Sequence, residues 1–238
     1  MTSTIVIAET GRAPGSLFAE YGGYDRMMLD MLERAGHSFS TRTVAVLDGE
    51  RLMPPNPGEA LIVTGSPAGV YDDHEWIAPL AQSVREWASA GAPMVGICFG
   101  HQLMAHAFGG EVIKSPKGWG VGVHTYDVVG EAPWQNGPVR FSCAVSHQDQ
   151  VVALPAGAQR IAGSPFCPNG VIRYADGPAL SFQMHPEFSH EFARDLLHMR
   201  RDSIGEDVAG WALPTFDHPS DRGAMADWIG QFLKGKSQ

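Results

Sequence analysis

The chain has 238 residues, 44% of them hydrophobic and 18% charged, enough for a sizeable core and free of the biased stretches that mark disorder or repeats. Its net charge of -9, from 17 Lys and Arg against 26 Asp and Glu, excludes a basic stripe able to hold nucleic-acid phosphates. Three cysteines (Cys98, Cys143 and Cys167) make an odd count without a Cys-x-x-Cys pair, which argues against a disulfide framework or zinc knuckle and suits a reducing compartment.

Met1 to Thr4 carries no basic residue, and the apolar run Ile5-Val6-Ile7-Ala8 ends at Glu9, too short for a signal sequence. With nothing approaching a membrane span, the expectation is a cytoplasmic protein with neither membrane nor nucleic acid as partner. Ile5 to Ala8 reads as a buried first strand. After a Gly-rich loop, Tyr24 to Ala35 places Met27, Met28, Met31, Leu32 and Ala35 on one helical face and stops at Gly36. Phe39 to Val46 predicts a second strand, Pro54 to Gly58 a loop, and Ala60 to Val63 a third strand. Asp72-Asp73-His74-Glu75 reads as the capped start of a helix over 75–90 that buries Trp76, Ile77, Leu80, Val84 and Trp87. Pro93 to Ile97 is the next strand and His101 to Phe108 the next helix, closed by Gly109-Gly110.

Alternating apolar strands and amphipathic helices imply an α/β fold with a mostly parallel sheet flanked by helices, where ligands bind at the carboxyl ends of the strands. After Gly110 the character turns β-rich, with runs at 120–129, 139–145, 158–163, 171–174 and 179–183. Helices return near 189–203 and 221–233, the latter with Met225, Trp228, Ile229 and Phe232 at i, i+3, i+4 and i+7. No linker separates these parts, so residues 1–238 read as one domain.

Cys98 occupies the corner between the strand ending at Ile97 and the following helix, inside Gly96-Ile97-Cys98-Phe99-Gly100. In Gly-x-Cys-x-Gly the flanking glycines let strand and helix pack closely around a sharp turn, the thiol counterpart of a nucleophile elbow that lifts the side chain clear of the sheet. Helix N–H groups at such a corner favour a thiolate and can bind an oxyanion. The motif alone also fits a small buried cysteine between packing glycines. A base within reach is what separates the two readings.

The run Ala179 to Gln183 leads into Met184-His185-Pro186-Glu187. In an extended chain, residues two apart project to the same side, roughly 6.5–7 Å apart at Cα, so His185 and Glu187 can pair. Pro186 disfavours helix at His185, leaving one imidazole nitrogen for the carboxylate and the other for a nucleophile. Without Cys98, a solvated polar strand end would explain the pair equally well. Two clusters carry metal-ligand chemistry, Asp72 to Glu75 and the set His185, Glu187, His190 and Glu191, but the first reads as a helix cap and Pro186 interrupts the second. No metal is expected, and Cys143 and Cys167, lacking a partner base, read as structural.

Gly-Ile-Cys-Phe-Gly-His-Gln followed by His-Pro-Glu resembles the class-I glutamine amidotransferases, whose triad is Cys, His and Glu. Ile62 to Pro67 resembles the oxyanion-strand loop of the amidotransferase domain of GMP synthetase, and Ser146 to Val151 its substrate-side loop. The closing segments 200–204 and 228–232 look like the stand-alone branch that includes γ-glutamyl peptide hydrolases. The resemblance implies a flavodoxin-like sheet and a triad of Cys98, His185 and Glu187. It also implies an oxyanion hole made by the N–H of Phe99 and that of Gly65 or Ser66. Many relatives carry Gly-Gly where this chain has Gly65-Ser66, but a backbone N–H does the work. Gln102, His147, Gln148 and Asp149 become candidate pocket residues; for His147 and Asp149 a loop hydrogen bond is the competing role. The implied activity is hydrolysis of a γ-glutamyl amide through a thioester, on glutamine or a γ-glutamyl peptide or amine, with no cofactor. The alternatives are a glutaminase subunit that feeds ammonia to a separate synthetase and an idle relative that only binds.

Overall fold

The structure is a computed structural model that describes residues 4–131 and 138–235. Residues 1–3, part of the stretch inspected above for a signal sequence, lie outside the described residues. The first half runs β1 (Thr4–Glu9), α1 (Gly15–Tyr21), α2 (Tyr24–Arg34), β2 (Ser40–Ala45), β3 (Glu59–Val63), α3 (Ile77–Ser89), β4 (Met94–Ile97) and α4 (Phe99–Ala107). The second contributes β5 (Glu111–Lys114), β6 (Gly120–Val128), β7 (Arg140–His147), β8 (Asp149–Ala153), β9 (Gln159–Gly163), β10 (Val171–Arg173) and β11 (Ala179–Phe182). It closes with α5 (His190–Met199), α6 (Arg201–Ile204), α7 (Glu206–Ala212) and α8 (Arg222–Leu233).

One sheet of nine strands, ordered β2-β1-β3-β4-β11-β10-β9-β6-β7, forms the centre. From β2 to β11 every pairing is parallel; from β11 onward every pairing is antiparallel. The sheet is therefore mixed, and the β-rich second half extends it. Parallel neighbours need a long crossover, which α2, α3 and α4 supply early; from β6 to β11 no helix occurs among the described residues, and the strands fold back on their neighbours. Strands β1, β3, β4 and β11 are buried on both faces, as continuous apolar runs require. Ile5, Ile7, Ile62, Val95 and Ile97 pack beneath α2 and α8, while Val6, Ala8, Leu61, Val63 and Met94 pack beneath α3 and α4. Successive strand side chains leave opposite faces, so each helix layer takes alternate residues.

Several expectations change in detail. The Gly-rich loop contains α1. Helix α3 begins only at Ile77 and has no side-chain cap; the Asp72 carboxylate instead accepts the N–H of Gly69 at 2.7 Å and closes a turn. The helix expected over 189–203 is two, because Arg200 leaves helical geometry at φ -96°, ψ 6° between α5 and α6. Asp149 to Ala153, which overlaps the end of the Ser146 to Val151 loop, pairs with β5 in a separate two-stranded sheet. Among the described residues no helix is long and apolar enough to cross a membrane.

The corner at β4–α4 depends on two missing side chains. A Cβ at Gly96 would lie 2.5 Å from the Gly100 carbonyl oxygen and 2.7 Å from Met104 Sδ, and one at Gly100 would run into the Val63 carbonyl. Backbone cannot retreat as a flexible side chain can. Gly100→Ala is therefore expected to destabilise the protein by about 1–3 kcal/mol, the usual range for overpacking. Urea unfolding of this variant should show a lower midpoint at unchanged slope; an unchanged midpoint would refute the close packing.

Candidate active site

Cys98 sits between β4 and α4 with φ 50° and ψ -99°, the sole non-glycine residue of positive φ among those described. Such a conformation strains an L-residue and persists only where its surroundings over-determine it. Here the Cys98 N–H donates to Phe182 O at 2.8 Å, the Gly100 N–H to Thr64 O at 3.2 Å, and the Gln102 N–H back to Cys98 O at 3.0 Å. The thiol faces a cavity rather than bulk solvent. It is 5% exposed and lies against a cavity of about 330 Å³ over the carboxyl ends of the strands.

His185 and Glu187 pair as expected, but not on an extended strand. Strand β11 ends at Phe182, and the Phe188 N–H donates to His185 O at 3.2 Å, making His185 to Phe188 a turn with Pro186 at its second position. That position takes the fixed φ of proline without strain. The turn brings His185 Nδ1 to 2.7 Å from Glu187 Oε1, with both residues buried. Phe188 stacks flat on the imidazole, centroids 3.9 Å apart and planes 6° from parallel, so the ring cannot swing. Burial alone would lower the imidazole pKa, but the charges of Glu187 and Cys98, with hydrogen bonds to both, outweigh it and raise the pKa above 6.5. The protonated ring donates to Glu187 through Nδ1 and keeps its second N–H for the sulfur.

The other cysteines are placed differently. Cys143 and Cys167 lie in the core at 0% and 1% exposure, and burial pushes both thiols up, Cys167 to about 12. No group of three or more metal-ligating side chains with metal-site geometry occurs among the described residues.

Gly65 lies against the pair, since a Cβ there would be 3.0 Å from His185 Cε1 and 3.7 Å from Cys98 Cβ. Ser66 lines the cavity with Cys98, and its φ is not positive, so serine fits where glycine might have been required. Phe99, the first residue of α4, is buried against Trp76 at 5.3 Å between ring centroids. Gln102, Gln148 and Asp149 also reach the cavity. Asp149 accepts from the Tyr71 hydroxyl at 2.9 Å, and burial raises its carboxyl pKa above the usual range. His147 lines the cavity as well: its Nδ1 lies 3.0 Å from the Asp149 carbonyl oxygen, its Nε2 has no hydrogen-bond partner among the described residues, and burial lowers its pKa to about 3, leaving it neutral.

Some residues of the site escape sequence reading. Gln183 reads as the last residue of a strand, yet its Nε2 lies 3.6 Å from Cys98 Sγ while its Oε1 accepts from Gln102 Nε2 at 3.2 Å. A glutamine at the end of a fully buried strand was the available signal. Tyr71, Trp119 and Arg200 come to the cavity from a loop, a strand approach and a helix junction, with no local pattern to announce them.

A family model for "Glutamine amidotransferase class-I" matches residues 19–199. The chain belongs to this family. A glutamine amidotransferase-like protein of Schizosaccharomyces pombe is 30% identical over 90% of this chain and 91% of its own length. Gamma-glutamyl peptidase 4 of Arabidopsis thaliana is 29% identical over 77% of the chain and 76% of its length. A glutamine amidotransferase crystal structure from Thermotoga maritima superposes with a TM-score of 0.73 at 18% identity, over 100% of this chain and 98% of that one, and shows the same fold.

Two measurements test the electrostatics of this site without any substrate. Mass-spectrometric mapping after brief alkylation should find Cys98 modified and Cys143 and Cys167 untouched; the reverse pattern would contradict the burial. In an NMR titration His185 should keep its proton above pH 6.5, and Glu187→Gln should lower its pKa by about one unit or more. The linkage has a definite sign: the native state holds this proton more tightly than the unfolded chain. The contribution to stability is thus complete below pH 6.5 and is lost as pH rises through the native value.

Proposed function

We propose that the chain is a cysteine-dependent hydrolase of γ-glutamyl amide bonds that acts as a single domain without a partner subunit. The observation that carries this reading is the junction of a strained Cys98 at the cavity wall with the buried His185–Glu187 pair. Cys98 thiolate attacks the γ-carbonyl carbon of a bound γ-glutamyl compound, and the carbonyl π pair moves to oxygen. That oxyanion accepts hydrogen bonds from Phe99 N–H and from Gly65 or Ser66 N–H. As the C–N bond breaks, His185 gives its proton to the departing nitrogen, and ammonia or an amine leaves a γ-glutamyl thioester. Water then adds to the thioester while losing a proton to His185; collapse releases glutamate and restores the thiolate–imidazolium pair. Glu187 holds the ring in the tautomer and orientation both steps need. No step calls for a metal or an organic cofactor. Gln102, Gln148 and Asp149 line the space for the glutamyl portion.

Support for independent action comes from the likeness to Gamma-glutamyl peptidase 4, which spans most of both chains. Three free cysteines support a reducing, cytoplasmic setting. The rival reading is a glutaminase subunit for a separate synthetase, which would restrain hydrolysis until its partner docks.

Steady-state kinetics on the purified chain, with glutamine, a γ-glutamyl dipeptide and a γ-glutamyl amine at millimolar concentration, separates the two. Turnover on the order of 1 per second, ordinary for a working enzyme, is expected on at least one substrate. Negligible turnover on all three, restored by adding a synthetase, would overturn partner-free hydrolysis. Cys98→Ala should abolish activity and His185→Ala should come close, whereas Glu187→Gln should keep more, because an orienting group is less indispensable than the base. Wild-type activity in Cys98→Ala would remove the nucleophile from the scheme.

A further inference from the structure

The loop that follows β3 is held from behind by the end of β1. The Thr10 N–H donates to Thr64 Oγ1 at 3.0 Å, and Thr10 Oγ1 lies 2.9 Å from Thr64 O and 3.3 Å from Gly65 O. Thr64 Oγ1 is 3.3 Å from Ala8 O and 3.4 Å from Gly65 O, a second tie between this loop and β1. Both threonines are buried, at 0% and 1% exposure. Gly11 presses on the same peptide: a Cβ there would collide with Gly65 O and lie 2.9 Å from Ser66 Cα. Only glycine lets the two backbones approach this closely.

This contact fixes a direction. In a planar trans peptide the carbonyl and the following N–H point to opposite sides. With Gly65 C=O turned toward β1 and its hydroxyls, the Ser66 N–H is turned away from β1. Ser66 lines the cavity with Cys98, and its N–H meets no protein acceptor among the described residues. A free backbone donor beside the candidate nucleophile is what a developing oxyanion requires.

We infer that Thr10 is a positioning residue for catalysis: by pinning the Gly65 carbonyl to the end of β1, it aims the Ser66 N–H at the oxyanion formed on Cys98. The inference rests on the hydrolase reading for its chemistry and chooses Ser66 over Gly65 as the second donor. It also assigns work to a threonine that touches neither substrate nor triad.

The test compares ligands that do and do not develop an oxyanion. The aldehyde 5-oxopentanoate adds reversibly to the Cys98 thiolate: a S–C bond forms, the carbonyl π pair moves to oxygen, and that oxygen is the one the hole would hold. Glutarate, the corresponding diacid, reports binding alone. Dissociation constants for both, the adduct followed by carbon-13 NMR with labelled aldehyde, would be measured for wild type, Thr10→Val, Thr10→Ala and Thr10→Ser. Outright loss of an oxyanion donor costs about 10²–10³ in kcat. A misaimed donor should therefore cost about 10-fold or more in aldehyde affinity for the Val and Ala variants. Glutarate affinity should stay within about twofold, and Ser, which keeps the hydroxyl, should restore the aldehyde. On a turned-over substrate the same variants should lower kcat and spare KM.

Unchanged aldehyde affinity in Thr10→Val and Thr10→Ala overturns the inference. So does an equal weakening of both ligands, which is the mark of a merely structural role, and the Ala variant keeps that comparison open should Val misfit and fail to fold. Because the adduct needs no turnover, failure of the hydrolase reading, seen as an inactive wild type, remains distinguishable from failure of this inference.

Discussion

The left-handed backbone of Cys98 is the constraint on which the site depends. A non-glycine residue in such a conformation costs on the order of 1–3 kcal/mol and must be held by its neighbours. Phe182 O takes the Cys98 N–H from one side and Thr64 O takes the Gly100 N–H from the other. These acceptors sit at the ends of β11 and β3, the two strands that flank β4. Parallel strands run about 4.8 Å apart, so the nucleophile candidate, the loop of Gly65 and the turn of His185 emerge side by side from three adjacent strand ends. The hydrogen bonds that keep the strain in place also set the spacing of the chemistry.

Much of this was legible in the residues. Apolar runs at Ile5, Ala60 and Met94 marked buried strands because a parallel sheet between helix layers tolerates only apolar side chains on both faces. Gly96 and Gly100 marked the corner because a Cβ at either meets backbone. His185 and Glu187 were legible as a pair, though the local geometry was not. Pro186 after a strand favoured an extended segment, whereas the closing hydrogen bond from Phe188 made a turn.

What stayed hidden depends on contacts distant in sequence. Whether β6 to β11 form a second layer or continue the first sheet is decided by pairing across the chain, to which alternation within one strand is blind. Gln183 gains its place beside Cys98 only through the pairing of β11 with β4. Asp72 looked like a helix cap because Asp before an apolar periodic run has that local chemistry; its carboxylate found the Gly69 N–H first.

The antiparallel extension and the last helix bear on charge as well as shape. Two buried ionic groups, His185 and Glu187, gain from each other only if both stay fixed and dry, since a buried charge deprived of its partner costs several kcal/mol. The first half of the chain supplies Gly65 against His185, and the second half closes over the pair. Strand β7 does so from one side, where Ala144 O accepts the His185 N–H at 2.9 Å. Helix α8 does so from another: Arg222 donates to Pro186 O at 3.1 Å and to Glu187 O at 3.0 Å, with the preceding Asp221 bonded through its backbone N–H and its carboxylate to Ser142 of β7. Arg222 thus grips the turn by its backbone and adds a positive charge near the Glu187 carboxylate, whose Oε2 has no hydrogen-bond partner among the described residues. The catalytic cysteine proposed here comes with the parallel half, but the low-polarity enclosure that makes its histidine and glutamate an effective pair is built by the half that follows.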